Sequence, residues 1–257
     1  METDGVTAHP LRGQHRPPPR VPGVVAAFSR EVVIVAGAMV AYFGIRNRTA
    51  GGAAVAFENA ELIERLERWA GLAWEHWLQS LVIGSDSLVT IANWVYIWGH
   101  WPVVLGSAVI LFLTRRPRYH LLRDALIVSG VIGFAFFALF PVAPPRLADP
   151  GLVDTVTLHS GAYRALQPPG LTNQFAAFPS LHAGWNVLVG IALYEAFTSR
   201  VVRAFAVVMP VAMSLAVVLT ANHYLVDVVA GVLVVLLALR LTRAAARDVP
   251  GILGSDE

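Results

Sequence analysis

Two histidine-centred motifs stand out in the chain, Phe178-Pro179-Ser180-Leu181-His182 and His223-Tyr224-Leu225-Val226-Asp227. A proline-rich turn carries an arginine, Pro141-Val142-Ala143-Pro144-Pro145-Arg146. His223 and Asp227 are four apart, which on a helix puts both on one face with Cβ atoms roughly 5–6 Å apart. A carboxylate so placed can orient an imidazole, set its tautomer and stabilise its cation. Ser180 is a candidate N-cap, and the free backbone N–H groups from Leu181 onward form an anion site. His182 then falls in the first helical turn, beside a bound anion. Arg146 offers a planar fork of donors that matches phosphate oxygens.

Taken singly, each feature has an ordinary alternative. These are a polar pair near lipid headgroups, a capped helix with an interfacial histidine, and an arginine on headgroups. Their combination favours chemistry, because the expected topology brings Arg146, His182, His223 and Asp227 to one membrane face. One phosphate site accounts for all four, where structural roles would need a separate account of each.

The elements that must position these residues are apolar. The chain is 56% hydrophobic and 14% charged, against about 25% charged in soluble domains. Apolar segments run roughly over 24–45, 88–114, 121–140, 181–198, 201–220 and 224–242, and about 20 residues suffice for a helix to cross the hydrocarbon core. The expected fold is all-α, a polytopic membrane protein with six transmembrane helices in a compact bundle. Pro102 and Pro210 are expected as kinks within spans. Residues 57–83 alternate charge with Leu62, Leu66, Trp69, Trp74 and Trp77, the pattern of an amphipathic helix lying in the interface. Residues 1–23, rich in Pro, Arg and Gly, read as a disordered cytoplasmic tail. Residues 24–243 form the membrane domain and 244–257 a second cytoplasmic tail. The loop 141–179 is long enough to be functional.

Arginine asymmetry sets the orientation. With the N-terminus in the cytoplasm, thirteen of the 19 basic residues fall inside and six outside. The loop 141–179 and the heads of the fourth and sixth spans then face outward, in a multi-pass protein of the cell membrane. All basic residues are arginine, which excludes Schiff-base chemistry and a Walker-type lysine. The absence of cysteine excludes disulfides and thiolate metal sites. The arginines form no stripe interleaved with aromatics, so nucleic acid is not an expected partner.

On these motifs the sequence resembles the type 2 phosphatidic acid phosphatase superfamily. The fuller strings Phe140 to Arg146, Asn173 to Trp185 and Asn222 to Asp227 are most similar to its inositol phosphorylceramide synthase-like branch, which includes bacterial members. The resemblance covers roughly residues 88–242. It implies a six-helix bundle and a covalent phosphohistidine. By it, His223 attacks phosphorus, Asp227 orients His223 and His182 protonates the leaving oxygen. Arg146 and the N–H groups near Ser180 and Leu181 hold the phosphate. No cofactor or metal is implied. The sequence departs from the wider family at Leu139, Val217 and Leu181, where the family has lysine, arginine and glycine. Two phosphate-binding cations are thus replaced. His100, in the polar-aromatic run Tyr96, Trp98, His100, Trp101, is the candidate donor in their place, followed by Arg164, Asn173 and Asp154.

The expected partners are membrane lipids and a lipid phosphate substrate on a glycerophospholipid, polyprenyl or inositol phospholipid carrier. Hydrolysis and transfer to an alcohol share their first half-reaction and both stay open. A metal-dependent hydrolase using His182, His223 and Asp227 as ligands and a non-catalytic scaffold or transporter are the competing readings. Against the first, Arg146 would be left without a role. Against the second, no internal repeat is visible.

Overall fold

The computed structural model describes residues 23, 26, 29–34, 37, 52–159 and 173–247. The chain divides into two compact units, Met1–Ala41 and Tyr42–Glu257. In the first, residues 29–34 are helical. Most of the expected first span and the N-terminal tail lie outside the described residues, as does Arg164.

The second unit is built from helices. They are α1 (Ala53–Ala70), α2 (Glu75–Ser80), α3 (Asp86–Trp98), α4 (Trp101–Thr114), α5 (Arg116–Leu139), α6 (Pro145–Ala148), α7 (Thr155–His159), α8 (Leu181–Ala196), α9 (Arg200–Leu219) and α10 (Leu225–Arg247). Among the described residues α5, α9 and α10 are long and apolar enough to cross a membrane, and the bent pair α3–α4 is a fourth candidate. Their outward faces carry exposed Val131, Val208, Leu233 and Leu237, as lipid contact requires. The fourth expected span corresponds to α8, which at 16 residues is not among these candidates. It starts only after Pro179 and Ser180, and it ends at Phe197, whose backbone is extended.

The second expected span is broken rather than kinked. α3 stops at Trp98, and α4 leaves at an angle of 46°. Pro102 explains the position of the break. A proline ring clashes with the carbonyl four residues earlier, here that of Trp98, so Pro102 is accommodated in the first turn of a new helix. Pro210 instead stays inside α9.

α8 is the central helix of the bundle and packs against α4, α5, α9 and α10. Leu181, Ala183, Gly184, Leu188, Val189 and Leu193 are all buried. Two glycines let α10 approach its head at backbone distance. A Cβ on Gly184 would sit 2.6 Å from the Gly231 carbonyl oxygen, and one on Gly231 would strike the Ser180 carbonyl. At the other end, Glu195 of α8 accepts from Arg118 of α5 at 2.5 Å and from Arg243 of α10 at 2.6 Å. This clasp ties the three helices together at the end away from the motifs.

The segment 53–80 comprises two helices. Gly71, with φ of 69°, ends α1 in a left-handed C-cap. α1 buries the stripe Ala56, Ala60, Ile63 and Glu67, where the first three pack on Val142, Ala143, Ala177 and Tyr224. Trp69, Trp74 and Trp77 are exposed. The loop after α5 is pinned to the segment before α8. Val142 donates to the Phe175 carbonyl at 2.9 Å, and Ala177 donates to the Val142 carbonyl at 3.3 Å. Two arms of the site are thereby held side by side.

Candidate active site

Between α9 and α10 the chain must turn within a few residues. Ala221 does this with a left-handed backbone, φ 53°, a conformation that costs a non-glycine residue roughly 1–2 kcal/mol. The turn is fixed by Asn222 and His223, whose N–H groups donate to the Val217 carbonyl at 3.0 and 3.1 Å. His223 is thus delivered two residues before α10 begins, and Asp227 falls within the first turn of that helix.

His223 is buried, and its Nδ1 lies 2.7 Å from the carbonyl oxygen of Ala177. A carbonyl only accepts, so in the neutral ring Nδ1 carries the proton and Nε2 holds the free lone pair. Asp227 Oδ2 is farther from Nδ1, at 3.5 Å, and accepts the Tyr224 N–H at 2.8 Å. The carbonyl of Ala177 is therefore the nearer orienting group, and the carboxylate stands behind it. Burial pushes the pKa of His223 down to about 4; the Ala177 carbonyl opposes this and the charge of Arg146 adds to it. The ring is neutral at pH 7, as a nitrogen nucleophile must be.

His182 enters from the head of α8. Its ring centroid lies 5.8 Å from that of His223, 4.2 Å from that of His100 and 5.0 Å from that of Tyr96, on which it stacks. His100 occupies the break between α3 and α4, with Trp185 stacked against it at 5.7 Å. The break therefore sets a third histidine behind the second. Ser180 caps α8 by accepting from Ala183 N at 3.4 Å, and its own N–H donates to the Asp227 carbonyl at 2.9 Å. Leu181 and His182 occupy the first turn, where N–H groups have no intrahelical acceptor.

Arg146 is fixed from three sides. Its backbone N–H donates to the Ala221 carbonyl at 2.9 Å, and its Nη1 donates to Asn222 Oδ1 at 2.8 Å. Its Nε pairs with Asp154 at 3.3 Å. The proline-rich turn and the turn at 220–223 are thus one assembly, with the guanidinium next to His223. Among the described residues no group of three or more His, Asp or Glu side chains is arranged to hold a metal ion.

A model of the PAP2 superfamily matches residues 61–241, a stretch that contains every side chain of this assembly. The chain belongs to the PAP2 superfamily. No curated protein matches it, and no solved structure does. As a PAP2 superfamily member it is a phosphatase-type enzyme, and its long apolar helices fit a membrane protein.

In this PAP2 superfamily chain the residues singled out from sequence fall into distinct places. His223, His182, Asp227, Arg146, Ser180 and His100 converge. The Leu181 side chain packs toward Gly133 of α5, so only its backbone is available to an anion. Asp154 pairs with Arg146. A carboxylate repels phosphate, so Asp154 orients the arginine and is not itself a phosphate donor. Asn173 makes a local bond, accepting from Phe175 N at 3.2 Å. Four participants escaped the sequence reading. Asn222 holds Arg146, the Ala177 carbonyl holds His223, and Glu67 and Glu75 are buried against the head of α10. Glu67 accepts from Val226 N at 2.8 Å and Glu75 from Leu225 N at 2.9 Å. The alternation of charge over 57–83 predicts an interfacial amphipathic helix and gives neither glutamate a partner. One signal was available, because Ala56, Ala60 and Ile63 form a buried stripe that continues at helical spacing into Glu67.

Proposed function

We propose that this chain is an integral-membrane lipid phosphatase or phosphotransferase that works through a phosphohistidine at His223. The observation that carries the reading is the 2.7 Å contact from His223 Nδ1 to the Ala177 carbonyl, because it leaves Nε2 as the nucleophile. Nε2 attacks phosphorus while the bond to the lipid oxygen breaks, and His182 gives that oxygen its proton. In the second half, His182 takes a proton from water or an alcohol whose oxygen attacks phosphorus. The phosphorus–nitrogen bond then breaks and neutral His223 returns. Asp227 stabilises the cationic ring between the two halves. Arg146 and the N–H groups of Leu181 and His182 hold the phosphoryl oxygens. His100, against His182, supports the acid and supplies a polar group where the wider family has a further cation.

The substrate is a lipid phosphate or diphosphate. Leucine at 139 and valine at 217 support the inositol phosphorylceramide synthase-like branch, in which an alcohol can replace water as acceptor. The arginine asymmetry supports a site on the extracytoplasmic face, with both termini in the cytoplasm. The test is release or transfer of labelled phosphate from a panel of lipid phosphates, with and without alcohol acceptors. Purified wild type is compared with His182→Ala and His223→Ala. The His223 variant is expected to form no phosphoenzyme and to be inactive. Turnover by it at the wild-type rate would refute the mechanism.

A further inference from the structure

The first N–H groups of a helix have no partner within it, and one side-chain oxygen is the usual remedy. The head of α10 has three carboxylates on three successive N–H groups. Asp227 takes Tyr224 N at 2.8 Å, Glu75 takes Leu225 N at 2.9 Å and Glu67 takes Val226 N at 2.8 Å. All three are buried, Glu67 at 1% and Asp227 at 0% exposure. The helix dipole favours negative charge here, but gathering three carboxylates away from water is costly. Simple capping does not require it. Burial pushes the pKa of Glu67 up to about 8; the Val226 N–H opposes this, and the neighbouring Glu75 and Asp227 add to it. Glu67 therefore keeps its proton well above the usual carboxylate range. One of its oxygens can accept from Val226 while the other donates toward Glu75.

These two acids come from α1 and α2, far upstream in sequence, and they grip the residues directly after His223. We propose that Glu67 and Glu75 are positioning residues for the proposed nucleophile. They fix the 223–227 segment through Val226 and Leu225, so that His223 keeps Nδ1 on the Ala177 carbonyl and Nε2 toward the phosphate. This inference rests on the reading of His223 given above, and its test separates the two.

The full chain in nanodiscs is compared as wild type, Glu67→Ala, Glu75→Ala and Glu67→Gln. Glutamine reproduces a protonated glutamic acid, with one acceptor for Val226 and one donor toward Glu75. Hydrogen exchange of peptides spanning 222–228 reports on the turn without any substrate. Steady-state kinetics on a lipid phosphate turned over by the wild type report on its use. Both alanine variants are expected to lose amide protection at 224–227 while other peptides keep theirs. They should lose kcat by up to about 100-fold, as a nucleophile displaced by about 1 Å would, with KM held within about threefold. Glu67→Gln should restore both readouts. Unchanged protection in the alanine variants, or equal losses from glutamine and alanine, would overturn the inference. If the wild type turns over no lipid phosphate but the alanine variants still lose protection, positioning of the turn is supported and the phosphotransfer reading falls.

Discussion

Adding one methyl group at Gly184 tests whether the crossing of α8 and α10 sets the geometry of the histidines. The new Cβ of Gly184→Ala would lie 2.6 Å from the Gly231 carbonyl oxygen, where ordinary contact begins at 3.4 Å. The obstacle is backbone, which cannot rotate away, so the helices must separate by about 0.8 Å. Overpacking of this kind costs about 1–3 kcal/mol. The separation acts directly on the pair His182 and His223, whose rings come from the heads of these two helices. It also strains the Ser180 N–H bond to the Asp227 carbonyl, now 2.9 Å. A displacement near 1 Å reduces turnover by about 100-fold, so Gly184→Ala should lose roughly that in kcat with little change in KM. Denaturant unfolding in detergent measures the stability term. Lipid-phosphate turnover in the same detergent measures the catalytic one. Gly190→Ala is the control. It clashes with the Ala206 carbonyl of α9, away from the histidines, and should lose stability with a smaller loss of kcat. Wild-type kcat and midpoint in Gly184→Ala would refute the argument that this crossing fixes the site.

Arg146→Lys should lower kcat/KM by about tenfold or more, since one ammonium cannot bond Asn222 and Asp154 while also presenting a fork to phosphate; kinetics on the same substrate check this. The Glu67 contribution to stability should fall as pH rises from about 4.5 to about 8, and His223, whose pKa is lowered in the fold, opposes it below about 6.5. The Glu67 pKa is raised in the fold, so the native state holds a proton there that the unfolded chain gives up. The contribution is full below 4.5 and lost through 8, and Glu67→Gln should flatten that slope in unfolding midpoints measured across the range. Chelators should leave turnover unchanged, and loss of activity restored by zinc would favour the metal-dependent reading.

The local spacings were legible. Pro179-Ser180-Leu181-His182 reads as a capped helix head and is one. His223 and Asp227 are near each other, but the turn at Ala221 puts His223 ahead of the helix. A backbone carbonyl from another segment thereby becomes its nearer partner. No side-chain pattern reveals a carbonyl, so Ala177 could not be read. Pro102 signalled a disturbance, yet its place at the carbonyl of Trp98, and so the burial of His100 beside His182, emerged only from the packing. Asp154 was a candidate at the phosphate site, and its pairing with Arg146 emerged only from the fold. Glu67 was not singled out because Glu64, Arg65 and Arg68 surround it in sequence with ordinary charge, whereas its partner in space is the N–H of Val226, more than 150 residues away.

The shortness of α8 has a consequence for where the reaction takes place. Sixteen residues span about 24 Å, while the hydrocarbon layer is about 30 Å thick. On the proposed reading, with the Glu195 clasp placed at one interface, the head of α8 would end about 6 Å short of the other. His182 would then lie beneath the headgroup plane, and a phosphate would have to be drawn down to meet it. On that reading turnover should rise in thinner membranes, where phosphate and acceptor would come closer to the histidines.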